Sequence, residues 1–582
     1  MSTVVAVANG RRAGDDIEYE ENHKLESLEP NEELIQRSGD HHDEKCSTRL
    51  SWRDIVPQLF ASLCVYSIVI HAGINLAFSS VLLPDLSKED SDIPITSQQK
   101  SWIASLVTIS SPIGALAAGP LMDYWGRKTA ARIACIPLII AWCMIALSPS
   151  VLCICIGRFI AGIGGGLTTV AIVYVTECSH PLLRPAFLCL NSVSVSLGVF
   201  FTYVGYFLFL SWRTLSWCCA GLAFASFMLI SVLSESPHWL FLFPPPRKIS
   251  SNILKCLRRK RSLSEIEPIG QKREHNRNSA LKALKILNPS NCHYMEAQKR
   301  LNLLSKQRLN PGCNEGNWGL KDIITRSSSY RPFILLLLLF LFQQLSGTYV
   351  IVFYAVDVLR GLAGKGSKDE DAEAVALIAI GCIRLVASIF ASILSRYCGR
   401  KSLYAASGFG MAIAALASGF IGINIEETGA YNTTSNAPTW LVSTLVLLYV
   451  STAAIGVFVI PWTLIGELLP TEARGLGGGM AVCIAYLFMF ATIKGFPEAC
   501  DMFGGTRTLF IFFAVVSFAG SVYVILCIPE TLGQSLQEIE LHFRGGIDND
   551  EKWWWGWKVW TKRKEMDKKT NDSEQKVKQD SC

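Results

Sequence analysis

Charge is what this sequence has least of. Lys, Arg, Asp and Glu make up 18% of the 582 residues, apolar residues make up 50%, and the mean hydropathy is +0.32. An ordinary soluble domain carries about 25% charged residues, so that class is excluded. Other absences narrow the choice further. There is no Gly-x-x-x-x-Gly-Lys-Ser/Thr loop to cradle a nucleotide, and no convincing nucleophile–base pair. The 19 cysteines show no zinc-like spacing. Most of them lie inside apolar segments, where Cys behaves as a small apolar residue. Gly162-Ile163-Gly164-Gly165-Gly166 sits inside an apolar run and reads as small residues for close helix packing, not as a phosphate loop. No enzyme, metal, cofactor or nucleic-acid partner is therefore expected. The chain opens without a secretory signal peptide. Its first fifty or so residues are polar and of mixed charge, in the manner of a disordered tail.

What is present is a series of runs long enough to cross a bilayer. Windows of about 20 residues give about twelve of them. They lie near 57–82, 100–122, 130–148, 151–175, 186–210, 214–233, 331–356, 373–395, 402–423, 440–466, 475–497 and 506–528. One set of connections is basic: Arg127-Lys128 with Arg132, the Arg184 loop, the long 244–331 segment, Arg396 to Lys401, and the C-terminal tail. The alternate set is acidic, around Glu89-Asp90, Asp369 to Asp371 and Glu426-Glu427. The positive-inside rule then places both termini in the cytoplasm. Asn432-Thr433-Thr434 is a glycosylation sequon on the opposite, external side, so Asn432 agrees with that topology. A second sequon, Asn571-Asp572-Ser573, falls in the cytoplasmic tail and is expected to stay unmodified.

Six spans, a polar insert and six more spans suggest duplication, and two motifs recur at matching places. Gly126-Arg127-Lys128 follows the second span and Gly399-Arg400-Lys401 the eighth. Glu177 and Arg184 close the fourth span, and Glu467 and Arg474 close the tenth, at the same interval. A third feature is not repeated. Gln343-Gln344-Leu345-Ser346-Gly347 interrupts the apolar run from Phe333. Neighbouring helix positions differ by about 100°, so both amides can face one cavity wall, with Gly347 leaving room there. Amides offer donors and acceptors together, which suits a neutral polyhydroxylated ligand; helices glued by their glutamines are the competing reading.

With Gly119-x-x-x-Asp123, Gly157-Arg158-Phe159, Tyr174 to Glu177, Glu235-Ser236-Pro237, Pro461-Trp462 and Pro529-Glu530-Thr531 added, the set resembles the sugar porter family of the major facilitator superfamily. It is most similar to the facilitated trehalose-transporter branch, and the likeness runs from about 57 to about 541. The resemblance implies an all-α membrane protein, twelve helices in two pseudo-symmetric six-helix halves. The expected layout is a tail to 55, a first half over 56–235, a cytoplasmic linker with short helices bracing the halves over 236–330, a second half over 331–530, and a tail from 531.

Within the linker, 279–287 has helical apolar spacing, while 247–275 looks disordered. The Trp553 to Trp557 run with its lysines suits the inner bilayer interface. The resemblance also implies a sugar site at mid-membrane, with Gln343 and Gln344 on the sugar and Trp462 lining the cavity. Asp123, Arg127, Glu177, Arg184, Glu235, Arg400, Glu467 and Arg474 would form inner-face latches between the halves. Departures from the family pattern fall at Tyr349, Arg384, Ser192 (beside Asn191), Ala485-Tyr486, His238 and Arg396. Arg384 stands in the middle of the apolar stretch Ala374 to Leu394, where a charge costs about 3 kcal/mol, so it should face the cavity or a partner. The first span carries His71 and Asn75 but no carboxylate between Pro57 and Pro84. Facilitated diffusion of a hexose or trehalose across the plasma membrane is therefore expected. A proton-coupled transporter of a sugar or other organic solute, and a non-transporting sugar sensor, are the alternatives. The partners expected are a small sugar and the lipid bilayer; oligomeric partners are left open.

Overall fold

In hydrocarbon every backbone polar group must be satisfied within its own segment, so each apolar run folds as a helix. The computed structural model describes residues 51–88, 92–180, 183–208, 211–242, 267–290, 294–295, 297–299, 327–363, 370–395, 397–423, 439–469, 474–532, 539 and 543. The first half holds α1 (Trp52–Leu86), α2 (Ser97–Trp125), α3 (Arg127–Ala146), α4 (Val151–Leu167), α5 (Val170–Cys178), α6 (Arg184–Phe207) and α7 (Trp212–Val232). Two short connecting helices follow, α8 (Pro237–Leu242) and α9 (Glu267–Leu287). The second half holds α10 (Ser327–Leu345), α11 (Thr348–Phe353), α12 (Ala355–Ala363), α13 (Glu370–Leu394), α14 (Arg400–Ile423), α15 (Thr439–Ile455), α16 (Ile460–Leu468), α17 (Arg474–Met502) and α18 (Thr506–Cys527). Side chains of Ser51, Thr96, Ser150 and Ser211 cap the starts of α1, α2, α4 and α7, Thr96 with Gln99 as a full capping box.

These helices make twelve crossings. Three are broken: the fourth into α4–α5, the seventh into α10–α12 and the tenth into α15–α16. Eleven crossings are long and apolar enough to span by themselves, and the seventh contributes a shorter run, Ser329–Leu345. The packing repeats between halves. In the first, α2 packs on α4, α3 on α4 and α7, and α1 on α6; in the second, α13 packs on α15, α14 on α15 and α18, and α10 on α17. The halves join through α6 against α13 and α17 against α2, the same pair of crossings taken once from each side. The glycines of α4 serve close packing, since a Cβ on Gly162 or Gly166 would collide with α2 at Val107, Ser110 or Ser111.

Some expectations change. Gly347 does not leave room on a continuous helix. It takes a left-handed φ of 81°, ends α10, and lies so close to the Phe513 ring that a Cβ there would strike it. The linker helix α9 buries Ala280, Ala283, Leu284 and Leu287 and packs on α8 and α1, both beside the first half. Gln58 Nε2 donates to Leu287 O (3.2 Å), and Asp54 accepts from Ser290 N (2.9 Å) and Oγ (2.6 Å). These bonds tie α9 to the first half, and residues 300–326 of the linker lie outside the described residues. Residues 267–275, expected to be disordered, are helical at the start of α9, while Asn432, Asn571, Arg396, residues 247–266 and the Trp553 run lie outside the described residues.

Candidate functional site

The break after α10 places the amide pair where no helix continues past it. Gln343 and Gln344 are both buried. Gln343 Nε2 donates to Val457 O at 2.6 Å, a carbonyl freed where the tenth crossing breaks between α15 and α16. The Gln343 amide nitrogen is therefore helix glue, while its Oε1 has no partner among the described residues. Neither polar atom of Gln344 has one. An unsatisfied buried polar group costs about 1–3 kcal/mol, so two adjacent amides left this way mark a place built to bond something else.

The next residue, Phe458, connects the amides to the arginine. Its ring packs edge-on against Tyr349 (centroids 5.2 Å) and carries the Arg384 guanidinium 4.1 Å above its face. Tyr349 Oη accepts from Trp462 Nε1 (3.2 Å), and Trp462 packs against Phe340 (5.1 Å) and Tyr486 (5.8 Å). Tyr349 thus joins the cluster that Trp462 and Phe458 form, and its hydroxyl holds the Trp462 ring in place. Arg384 is 3% exposed and faces away from the apolar stripe Val386, Ile389, Phe390 and Ile393. One turn before it, Gly381 lies against Phe200 and Tyr203 of α6, so Arg384 stands at the seam between the halves. Tyr203 and Tyr349 lie close enough to feel its charge. Arg384 Nε and Nη1 are buried without partners among the described residues. Stacking on an aromatic face returns about 0.5–2 kcal/mol, less than the several kcal/mol needed to bury an ion.

Asn191 and Ser192 are half-buried on α6. Cys189 meets Ser395 while Phe200 meets Gly381, so α6 and α13 run antiparallel. That register sets Ser192 about 10 Å from the level of Arg384, towards the Gly-Arg-Lys face, and the two do not converge.

On the face opposite the Gly-Arg-Lys turns the halves are bonded together. Lys100 pairs with Asp357 (2.9 Å), and Lys494 reaches Ser101 Oγ (3.1 Å) and lies over Trp102 (4.8 Å). Val352 O, freed at the break between α11 and α12, accepts from Ser80 Oγ (2.7 Å) and Tyr203 Oη (3.3 Å).

On the Gly-Arg-Lys face two clusters repeat one design. Arg127 pairs with Glu177 (2.9 Å) and Asp123 (3.4 Å), and Ser236 Oγ donates to the other oxygen of Glu177. Arg400 pairs with Glu467 (3.0 Å), and Thr531 Oγ1 donates to the other oxygen of Glu467 (2.6 Å). α3 has no side-chain cap of its own; Glu235 supplies it, accepting from Lys128 N (2.8 Å). Glu530 does the same for α14, accepting from Arg400 N (2.9 Å) and Lys401 N (3.3 Å). Gly126 and Gly399 are glycines because a Cβ at either would meet those carboxylates. Burial holds the Glu235 carboxyl above its ordinary range, against the pull of its backbone N–H donors.

Glu530, Thr531 and Ser236 were missed as cluster members, although Glu235-Ser236 and Glu530-Thr531 recur after the sixth and twelfth crossings and could have signalled them. The ion pairs named here each lie within one half, while Ser395 Oγ, which Arg400 also bonds, accepts from Cys189 Sγ of the first half (3.4 Å). Arg184 opens α6, its N–H bonded to His180 O, while both oxygens of Glu177 are taken by Arg127 and Ser236. Arg474 opens α17, and its side chain lies outside the described residues.

A family model described as "Sugar (and other) transporter" matches residues 55–543. The chain belongs to this sugar transporter family of the major facilitator superfamily. Among curated relatives of this family member is the facilitated trehalose transporter Tret1 of Bombyx mori, 27% identical over 495 residues, covering 84% of this chain and 87% of that one. Another is Tret1 of Polypedilum vanderplanki, 27% identical, covering 85% and 89%. Among solved structures it resembles the proton:xylose symporter XylE bound to 6-bromo-6-deoxy-D-glucose, with TM-score 0.66, 19% identity, and 84% and 100% coverage. It also resembles the inward-open xylose transporter XylE from E. coli, with TM-score 0.60, 19% identity, and 83% and 99% coverage. The shared fold is the twelve-helix, two-halved one. The chain is a multi-pass membrane protein of a family of transporters, not of enzymes.

Proposed function

We propose that this sugar transporter family member carries sugars across the plasma membrane by facilitated diffusion through alternating access, with both termini cytoplasmic. The observation that carries the reading is the buried Gln343–Gln344 pair, whose three unpartnered polar atoms belong to amides suited to hydroxyls. Trp462 beside it offers an aromatic face for sugar C–H surfaces. Relatives named as trehalose transporters support the substrate class. The bonds joining the halves at Lys100–Asp357 and at Ser80–Val352 lie on the side read here as extracellular, and alternating access requires that they break when that side opens. In the outward-facing part, closing of the inner face would bring Arg127, Glu177, Arg400 and Glu467 towards the other half, where they serve as latches.

A second reading, proton coupling, is favoured by His71, a fully buried imidazole in the first crossing with no side-chain hydrogen-bond partner among the described residues. The test of both is uptake of labelled trehalose, glucose and fructose into proteoliposomes holding the purified chain. Saturable uptake indifferent to an imposed pH gradient is expected. Uptake that follows the gradient selects the proton-coupled reading, and binding without flux selects a sensor.

A further inference from the structure

The feature that neutral-sugar transport leaves unused is Arg384. It occupies the seam between the halves, and its neighbours there are aromatic: Phe458 under the guanidinium plane, with Tyr349 and Tyr203 nearby. Among the described residues the ion pairs are made by Lys88, Lys100, Arg127 and Arg400, and none involves Arg384. The contrast with Arg400 is direct. That residue is equally buried, yet it holds Glu467 and Ser395 O. Arg158, the other fully buried arginine, bonds Ile103 O, Asn75 O and Ser79 Oγ. Among the described residues, only Arg384 has two guanidinium nitrogens buried without a hydrogen-bond partner. A planar fork of donors in a site of low dielectric has carboxylate as its natural complement. Phe458 joins this fork to the amide pair, because the preceding carbonyl, Val457 O, is the one Gln343 holds.

We infer that the preferred substrate is a sugar acid, a polyhydroxylated ring bearing one carboxylate, with Arg384 taking the carboxylate and Gln343 and Gln344 the hydroxyls. The inference rests on the transport reading above and narrows its substrate class. The neighbours of Arg384 among the described residues are Phe458, Tyr349 and Tyr203, which supply no second positive charge, so a monoanion fits better than a dianionic sugar phosphate. Because the ligand is charged, its facilitated transport is electrogenic, unlike that of a neutral sugar.

The experiment uses the full chain in proteoliposomes with labelled D-glucuronate, D-glucose and trehalose, and a membrane potential set by a potassium gradient and valinomycin. Glucuronate uptake is expected to be saturable, to exceed glucose uptake at equal concentration, and to rise severalfold when the lumen is made positive, while glucose uptake ignores the potential. Arg384→Asn should lower the glucuronate-to-glucose uptake ratio at least tenfold, and Arg384→Lys should recover part of it. The ratio is read within each preparation, so a loss of folded protein does not imitate the effect. Glucose or trehalose flux without glucuronate flux, or an unchanged ratio in Arg384→Asn, overturns the inference and leaves sugar transport standing. Absence of flux for all three overturns both. Should the variants fail to insert, the wild-type response decides: glucuronate uptake indifferent to potential rejects the inference, and potential-driven uptake upholds it.

Discussion

The inner-face clusters and the midplane site are built from the same kinds of residue and treat them in opposite ways. On the Gly-Arg-Lys face Arg127, Arg400, Glu177, Glu467, Glu235 and Glu530 all have partners, twice over by pseudo-symmetry. At the candidate site Gln344 and Arg384 are as deeply buried, and neither polar atom of Gln344 and neither Nε nor Nη1 of Arg384 has a hydrogen-bond partner among the described residues. Satisfied polar groups fix the architecture of a membrane protein. Unsatisfied ones weaken the fold in proportion to their burial, so adjacent ones are expected where a ligand can bond them. The glutamine pair shows the distinction within two adjacent residues, Gln343 half committed to structure and Gln344 not at all.

The comparison can be broken at its strongest point first. Arg400→Ala leaves Glu467 half-buried without its charge partner, and a loss of about 3–5 kcal/mol is expected. Thermal unfolding in detergent should show a large drop in midpoint; a midpoint close to wild type would mean the cluster is not structural. Gln344→Leu should do the reverse. Stability should stay within about 1 kcal/mol of wild type or improve, since an unsatisfied amide is replaced by an apolar group. Sugar uptake should fall at least tenfold, about 1.4 kcal/mol. Gln343→Leu sharpens the contrast between neighbours. It should lose uptake and also about 1–2 kcal/mol of stability, because Val457 O loses its donor. The smallest effect is expected at Lys100→Ala. That pair with Asp357 is partly exposed, at 26% and 30%, and is worth about 1 kcal/mol or less. Spin-label distances across the extracellular side should show the outward-open population rising by about fivefold at most.

Much of the architecture was legible along the chain. Hydropathy placed the crossings, and the duplicated Gly-Arg-Lys and Glu-to-Arg intervals marked two related halves. The breaks were harder to see. The seventh run reads as one helix until Gly347 is found in a left-handed conformation with Phe513 pressed against it. The site was legible in its glutamines, its tryptophan and its odd arginine. It was not legible in Phe458, an ordinary apolar residue until a guanidinium lies on its face, nor in Tyr203, contributed by the other half.

The sequence by itself determined that the chain crosses a membrane many times, that it is duplicated, and which polar residues lie at depth in each crossing. Those properties follow from local composition and spacing, since hydrocarbon demands long apolar helices wherever they occur. Only the tertiary structure decided which of those polar residues are satisfied. Gln343 finds its acceptor 114 residues away, Arg400 its carboxylate 67 residues away, and Arg384 finds neither. Hydrogen-bond and charge satisfaction depend on what the packing of distant helices brings within about 3 Å, and that is where this transporter separates scaffold from site.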